Sequence, residues 1–154
     1  MRLSDFIEFD AVRTNLAASN KRALMNQLAI IAGQALGMDS SLILGAINER
    51  ERLGSTGFGN GVAIPHGKLD GLDRIRIFVV QLGKPIDYEA IDGNPVDLVF
   101  MLLSPPEAGA DHLKALAAIS RTARHRLMVE QLRGARSSDA LAAVLVGADE
   151  RDAA

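Results

Sequence analysis

Residues 75–103 read IRIFVVQLGKPIDYEAIDGNPVDLVFMLL, and they decide the fold. Two runs inside this stretch, Ile75–Leu82 and Val96–Leu103, are apolar at nearly every position and rich in β-branched and aromatic residues. Such runs suit strands in the middle of a sheet covered on both faces. The link between them, residues 83–95, holds prolines, acids and the turn-forming Asp92-Gly93-Asn94-Pro95, so Lys84–Pro95 is expected to be loop. Thirteen residues with no helical pattern do not make the crossover that a parallel pair needs, so a mixed sheet is expected.

Outward from this pair, helices are expected on both sides. From Asn20 to Leu36, Leu24, Leu28, Ile31 and Ala35 recur at helical spacing, and Gly37 supplies a stop. Asp39 or Ser40 caps a second helix whose face is Ile43 and Ile47, with Arg50 on the same face near its end. Val12–Leu16 and Val62–Ile64 are short candidate strands, the latter ending at Pro65, and GSTGFGNG at 54–61 reads as a loop or strand edge. After Ser104-Pro105-Pro106, helices are expected at Ala110–Arg124, at Leu127–Arg133 stopped by Gly134, and at Asp139–Val146 stopped by Gly147, with a frayed polar tail. The expected fold class is α/β: one domain over 1–154, ordered over 4–148, with a mixed central sheet flanked by helices on both faces.

Composition narrows the function. A formal charge of −2 over 154 residues gives no basic footprint for nucleic acid. The absence of cysteine excludes disulfides, thiol catalysis and cysteine-ligated zinc. No apolar stretch approaches the ~20 residues that cross a bilayer, and MRLSDFIEFD has no signal-peptide pattern, so a cytoplasmic protein is expected.

Three histidines remain as carriers of chemistry. His125, in the basic run RTARHR, reads as a solvated helix end. His66, in GVAIPHGK at 61–68, is held between Pro65, which fixes its own φ, and Gly67, which permits close approach. That suits a ring reached by another molecule, and it also suits a packed structural histidine. His112 shares the face of Leu116 and Ile119 at the start of a helix, where it either lines a cleft or bonds backbone within the core. Arg50 is either a surface arginine among Glu49, Glu51 and Arg52 or a guanidinium placed for an anion, with Ser55 and Thr56 as hydroxyl donors nearby. No H-x-H, H-E-x-x-H, P-loop or G-x-S-x-G spacing is present, so no metal or other cofactor is expected. Transient phosphorylation of a neutral histidine nitrogen, with Arg and hydroxyl donors for the added charge, fits this set better than hydrolysis.

Glu51 followed by FGNGVAIPHG at 58–67 resembles the active-site signature of fructose/mannitol-type IIA domains of the bacterial phosphoenolpyruvate-dependent phosphotransferase system. The stretches AIDGNPVDLVFMLL and DHLKALAAISR extend the resemblance over most of the chain, and within the family it is most similar to the nitrogen-regulatory branch. The resemblance implies that His66 is the phosphohistidine acceptor, with His112, 46 positions later, and Arg50, 16 positions earlier, as its catalytic partners. Ser55, Thr56 and Gly67 are carried over as phosphate-lining residues, and Phe58, Gly59 and Gly61 are candidates for partner docking. It further implies a phosphodonor resembling HPr and regulatory targets such as sensor kinases or potassium-transport components. The alternative is a sugar-specific IIA component that passes phosphate to a IIB domain, and the lack of a fused IIB, IIC or HPr segment favours the regulatory role.

Overall fold

The computed structural model describes residues 2–153, with side chains described through Ala148. After two short 3₁₀ turns, Leu3–Asp5 and Phe9–Ala11, the elements are β1 (Arg13–Leu16), α1 (Lys21–Leu36), α2 (Ser40–Glu51), β2 (Gly57–Gly59), β3 (Val62–Ala63) and β4 (His66–Lys68). They continue with β5 (Arg76–Ile86), β6 (Val96–Ser104), α3 (Ala110–Arg124), α4 (Arg126–Gly134) and α5 (Ser138–Ala153).

The long pair β5 and β6 is antiparallel, running from Arg76 opposite Leu103 to Gln81 opposite Leu98. β1 joins β5 in parallel, β3 and β4 join β6 in parallel, and β2 joins β3 antiparallel. The sheet is therefore mixed, in the order β1-β5-β6-β3-β2 with β4 also beside β6.

Side chains of a strand alternate between its two faces, and here both sets enter a core. Leu98, Phe100 and Leu102 of β6 and Ile77 and Val79 of β5 pack with Ala115 and Ile119 of α3, Leu132 of α4 and Leu145 of α5. Val99, Met101 and Leu103 with Phe78 and Val80 pack on the opposite face against Leu24 and Leu28 of α1 and Ile43 and Ile47 of α2. This is why the two runs carry almost no polar residue.

Helix ends follow local chemistry. The Asn20 side chain accepts from the Ala23 N–H to start α1, and Gly37 ends it in a left-handed conformation at φ 66°. Asp39 caps α2 by accepting from the Ser41 N–H.

Three expectations need correction. β5 does not stop at Leu82. It passes a register shift and pairs again at Ile86 opposite Val96, with Lys84 and Pro85 exposed at the irregularity, where a proline costs no ladder bond. Helix α5 passes through Gly147, because Leu141, Leu145 and Ala148 bury one continuous stripe; the tail extends that helix to Ala153. His66 begins a strand rather than following one. Proline has no N–H to give the ladder, so Pro65 breaks the edge into β3 and β4, while its carbonyl still accepts from Leu102 N–H at 3.0 Å.

Candidate active site around two histidines

Three elements converge at the C-terminal end of β6. β4 carries His66 opposite Leu102, α2 ends beside it with Arg50, and α3 begins across from it with His112 in its first turn. Together they line a cavity of about 670 Å³ to which Lys68 and Asp70 also contribute. The closeness of α2 to β4 depends on Gly67. A Cβ there would lie 3.0 Å from the backbone carbon and oxygen of Ala46, so glycine lets helix and strand meet. The close approach expected at Gly67 is thus made by a helix of the same chain, and Gly67 also lines the cavity beside His66.

The His66 ring is half-buried, and its Nδ1 lies 2.8 Å from the carbonyl oxygen of Ile64. A carbonyl oxygen only accepts, so Nδ1 carries the hydrogen and Nε2 keeps a free lone pair. Burial holds the His66 pKa below the ordinary imidazole value; the Ile64 bond opposes this and the nearby Arg50 guanidinium reinforces it. The neutral ring is thus favoured at neutral pH.

His112 is 9% exposed, and its ring centroid lies 5.7 Å from that of His66 with the planes tilted by 55°. Burial, followed by the charges of His66 and Lys68, keeps its pKa low as well. Arg50 is anchored by an Nη1 bond to the carbonyl of Gly54 at 2.9 Å, which ties the end of α2 to the loop beyond it.

The family model described as "Phosphoenolpyruvate-dependent sugar phosphotransferase system, EIIA 2" matches residues 5–147. The chain belongs to that family. A nitrogen regulatory protein of Bradyrhizobium diazoefficiens is 42% identical over 145 residues, covering 94% of this chain and 95% of the relative. Another from Pseudomonas aeruginosa is 35% identical over 147 residues, covering 95% and 96%. Among solved structures, the nitrogen regulatory protein IIA-Ntr of Neisseria meningitidis superposes with a TM-score of 0.87 at 26% identity, over 93% of this chain and 98% of that one. The mannitol IIA of Escherichia coli shares the fold, with a TM-score of 0.73 at 16% identity over 88% and 96%.

Within this EIIA chain, His66, His112, Arg50 and Gly67 come together around one cavity. Ser55 and Thr56 do not join them. Ser55 Oγ donates to the Tyr88 carbonyl at 3.3 Å, and Thr56 Oγ1 donates to Glu51 at 2.6 Å and meets the Tyr88 hydroxyl at 3.0 Å. The Thr56 N–H also bonds Glu51, at 2.8 Å, and Lys21 pairs with the same carboxylate at 2.9 Å. The two hydroxyls therefore hold the 51–57 turn closed.

The Phe58–Gly61 segment is also remote. Gly61 sits beside Asp97 and Leu98, whereas His66 sits beside Leu102, so they are separated along β6 by about 15 Å. Phe58 packs on the core, and the turn is held by Arg133, which bonds the Asn60 carbonyl and pairs with Asp97 at 2.8 Å. The exposed apolar surface actually at the cavity is Leu42 and Leu53, 58% and 83% exposed. Sequence reasoning missed these leucines, although Leu53 stands out as an apolar residue between charged Arg52 and a glycine loop. It also missed Ser104, a polar residue ending a strand that is apolar from Leu98 to Leu103. His125 is exposed as expected and in addition caps α4, its Nδ1 accepting from Met128 N–H at 3.2 Å.

Proposed function

We propose that this chain is a regulatory phosphocarrier: it accepts a phosphoryl group from an HPr-like carrier onto His66 Nε2 and acts on partner proteins according to its phosphorylation state. One observation carries the reading. His66 is fixed by the Ile64 carbonyl as the tautomer with a bare Nε2, in a cavity shared with Arg50, His112 and Lys68.

The lone pair on Nε2 forms the new N–P bond while the P–N bond of the donor phosphohistidine breaks, and that electron pair returns to the donor ring. His66 keeps its Nδ1–H on the Ile64 carbonyl throughout. The ring gains positive charge as it gains the dianionic group. Such a transfer asks the protein for position and charge stabilisation rather than covalent help. Arg50 and Lys68 supply the positive charge, and His112 supplies a ring facing the acceptor. The exposed Leu42 and Leu53 give the incoming carrier apolar surface beside this polar centre.

The regulatory role, as against relay to a sugar-specific IIB domain, is supported by the nitrogen regulatory proteins among the relatives, which match over nearly their whole length. The test is incubation with phosphoenolpyruvate, enzyme I and an HPr-type carrier, followed by intact mass spectrometry. The expected result is one acid-labile phosphoryl group; its absence sinks the proposal. Passage of that group onward to a sugar-specific IIB domain would replace the regulatory role by the transport one.

The pH dependence has a definite sign. The nucleophile is the neutral ring, and burial lowers the His66 pKa from its ordinary value. The acceptance rate should therefore be flat through neutral pH and fall only on the acid side of about 6.5, the pKa of a free imidazole. Single-turnover transfer from the labelled carrier across pH 5–8, a range set by imidazole titration, measures this. A midpoint above that of free imidazole would contradict the burial argument.

A further inference from the structure

We propose that Ser104 is a positioning residue for His112: its hydroxyl fixes the His112 ring in the tautomer that carries its hydrogen on Nε2. Ser104 is the last residue of β6 and fully buried. Its backbone is pinned on the β4 side, where its carbonyl accepts from Leu69 N–H at 2.9 Å. Its Oγ lies 2.7 Å from His112 Nδ1, and among the described residues that nitrogen is the hydroxyl's one hydrogen-bond partner.

The direction of this bond follows from satisfying both groups. If Nδ1–H donated to Oγ, the hydroxyl hydrogen would be left in the interior with no acceptor, an arrangement native structures avoid. If the hydroxyl donates, Oγ–H and the Nδ1 lone pair satisfy each other. The neutral ring must then carry its hydrogen on Nε2. With the two ring centroids 5.7 Å apart, His112 offers an N–H on the side of the cavity where a phosphoryl group on His66 would add negative charge. The opposite tautomer would offer a lone pair instead, and repel it.

A hydroxyl also suits the change that follows phosphorylation. The charged and titratable groups that line the cavity with His112 are His66 and Lys68 from β4, Glu49 and Arg50 from α2, and Asp70 just beyond β4, with Ser104 of β6 bonded to its ring and Asp111 adjacent on its own helix. Should the added dianion draw a proton onto His112, Ser104 Oγ turns from donor to acceptor, the new ion pair offsetting the cost of its unpaired hydroxyl hydrogen, and the ring keeps its orientation. Neither an apolar side chain nor a lysine could serve both states.

Two measurements on the full chain test this, and only the second rests on the phosphocarrier reading. Nitrogen-15 NMR of the unphosphorylated protein at about pH 8, above the imidazole range, should show His112 Nδ1 as pyridine-like and Nε2 as pyrrole-like. Ser104→Ala should shift both resonances toward a tautomer mixture, and Ser104→Thr should restore them. A pyrrole-like Nδ1 in the wild type, or identical shifts in Ser104→Ala, overturns the proposal. In single-turnover transfer from a phosphorylated HPr-type carrier, Ser104→Ala should be about tenfold to a hundredfold slower, the scale of loss seen when a metal-bound histidine loses its orienting partner. His66 should remain the labelled residue, and Ser104→Thr should recover most of the rate. An unchanged rate in Ser104→Ala also overturns it. If the wild type takes no label, the phosphocarrier reading fails, and the nitrogen shifts alone decide the tautomer.

Discussion

His66→Ala is expected to take up no acid-labile phosphate under conditions that label the wild type fully, with an unchanged far-ultraviolet circular dichroism spectrum. The loss should be complete because no other histidine has the same freedom. His112 is 9% exposed and its Nδ1 is committed to Ser104, while His125 is an exposed cap on a different helix. The fold should survive because the His66 ring is half-buried and, among the described residues, bonds only to Ile64 within its own segment. His112→Ala makes the informative contrast: it should retain the label but acquire it more slowly. Residual label on His66→Ala, located by peptide mass spectrometry, would show another acceptor and refute the assignment.

The largest effect on stability is expected from Phe100→Ala. Phe100 is fully buried in the core formed by β5, β6, α3, α4 and α5, at the centre of the most deeply packed strand. Removing a buried phenyl loses its transfer free energy and leaves a cavity that rigid strands cannot close, about 3–5 kcal/mol in comparable cores. Against a typical total of about 5–15 kcal/mol for a domain, that leaves a marginal protein. Urea denaturation should show a large drop in midpoint. Leu53→Ala is the control: at 83% exposure it should change stability by no more than about 0.5 kcal/mol. A small effect at Phe100 would mean that the layer of α3, α4 and α5 does not lean on β6 as described.

The elements legible in the sequence were those whose cause is local or periodic. Ile75–Leu82 and Val96–Leu103 declared two covered faces by lacking polar positions, and Asn20, Gly37 and Asp39 marked helix ends through their own hydrogen bonds and conformations. The grouping of Arg50, His66 and His112 was readable only through the motif that joins them; the spacing of each alone fitted a structural role equally well.

What was not legible depends on residues far apart in the chain. β4 exists because β6 runs long enough to offer Leu102–Ser104 beyond Pro65. The hydroxyl of Thr56 turns away from the cavity because the Tyr88 hydroxyl, 32 residues on, waits for it together with Glu51. Helix α5 ignores Gly147 because tertiary burial of Leu145 and Ala148 outweighs the helix cost of one glycine, about 1 kcal/mol.

The contact between Gly67 and Ala46 has a consequence for tolerance. Arg50 lies one helical turn beyond Ala46, about 6 Å along the axis, so α2 acts as a rigid arm pivoting on that contact. The span between guanidinium and imidazole is thus gauged by a hydrogen atom, the one glycine has in place of a methyl group. Even alanine would push the arm outward, and displacements near 1 Å at a reacting centre are worth about a hundredfold in rate. The machining tolerance of this cleft is set by a backbone contact in its wall rather than by the side chains that carry its charge.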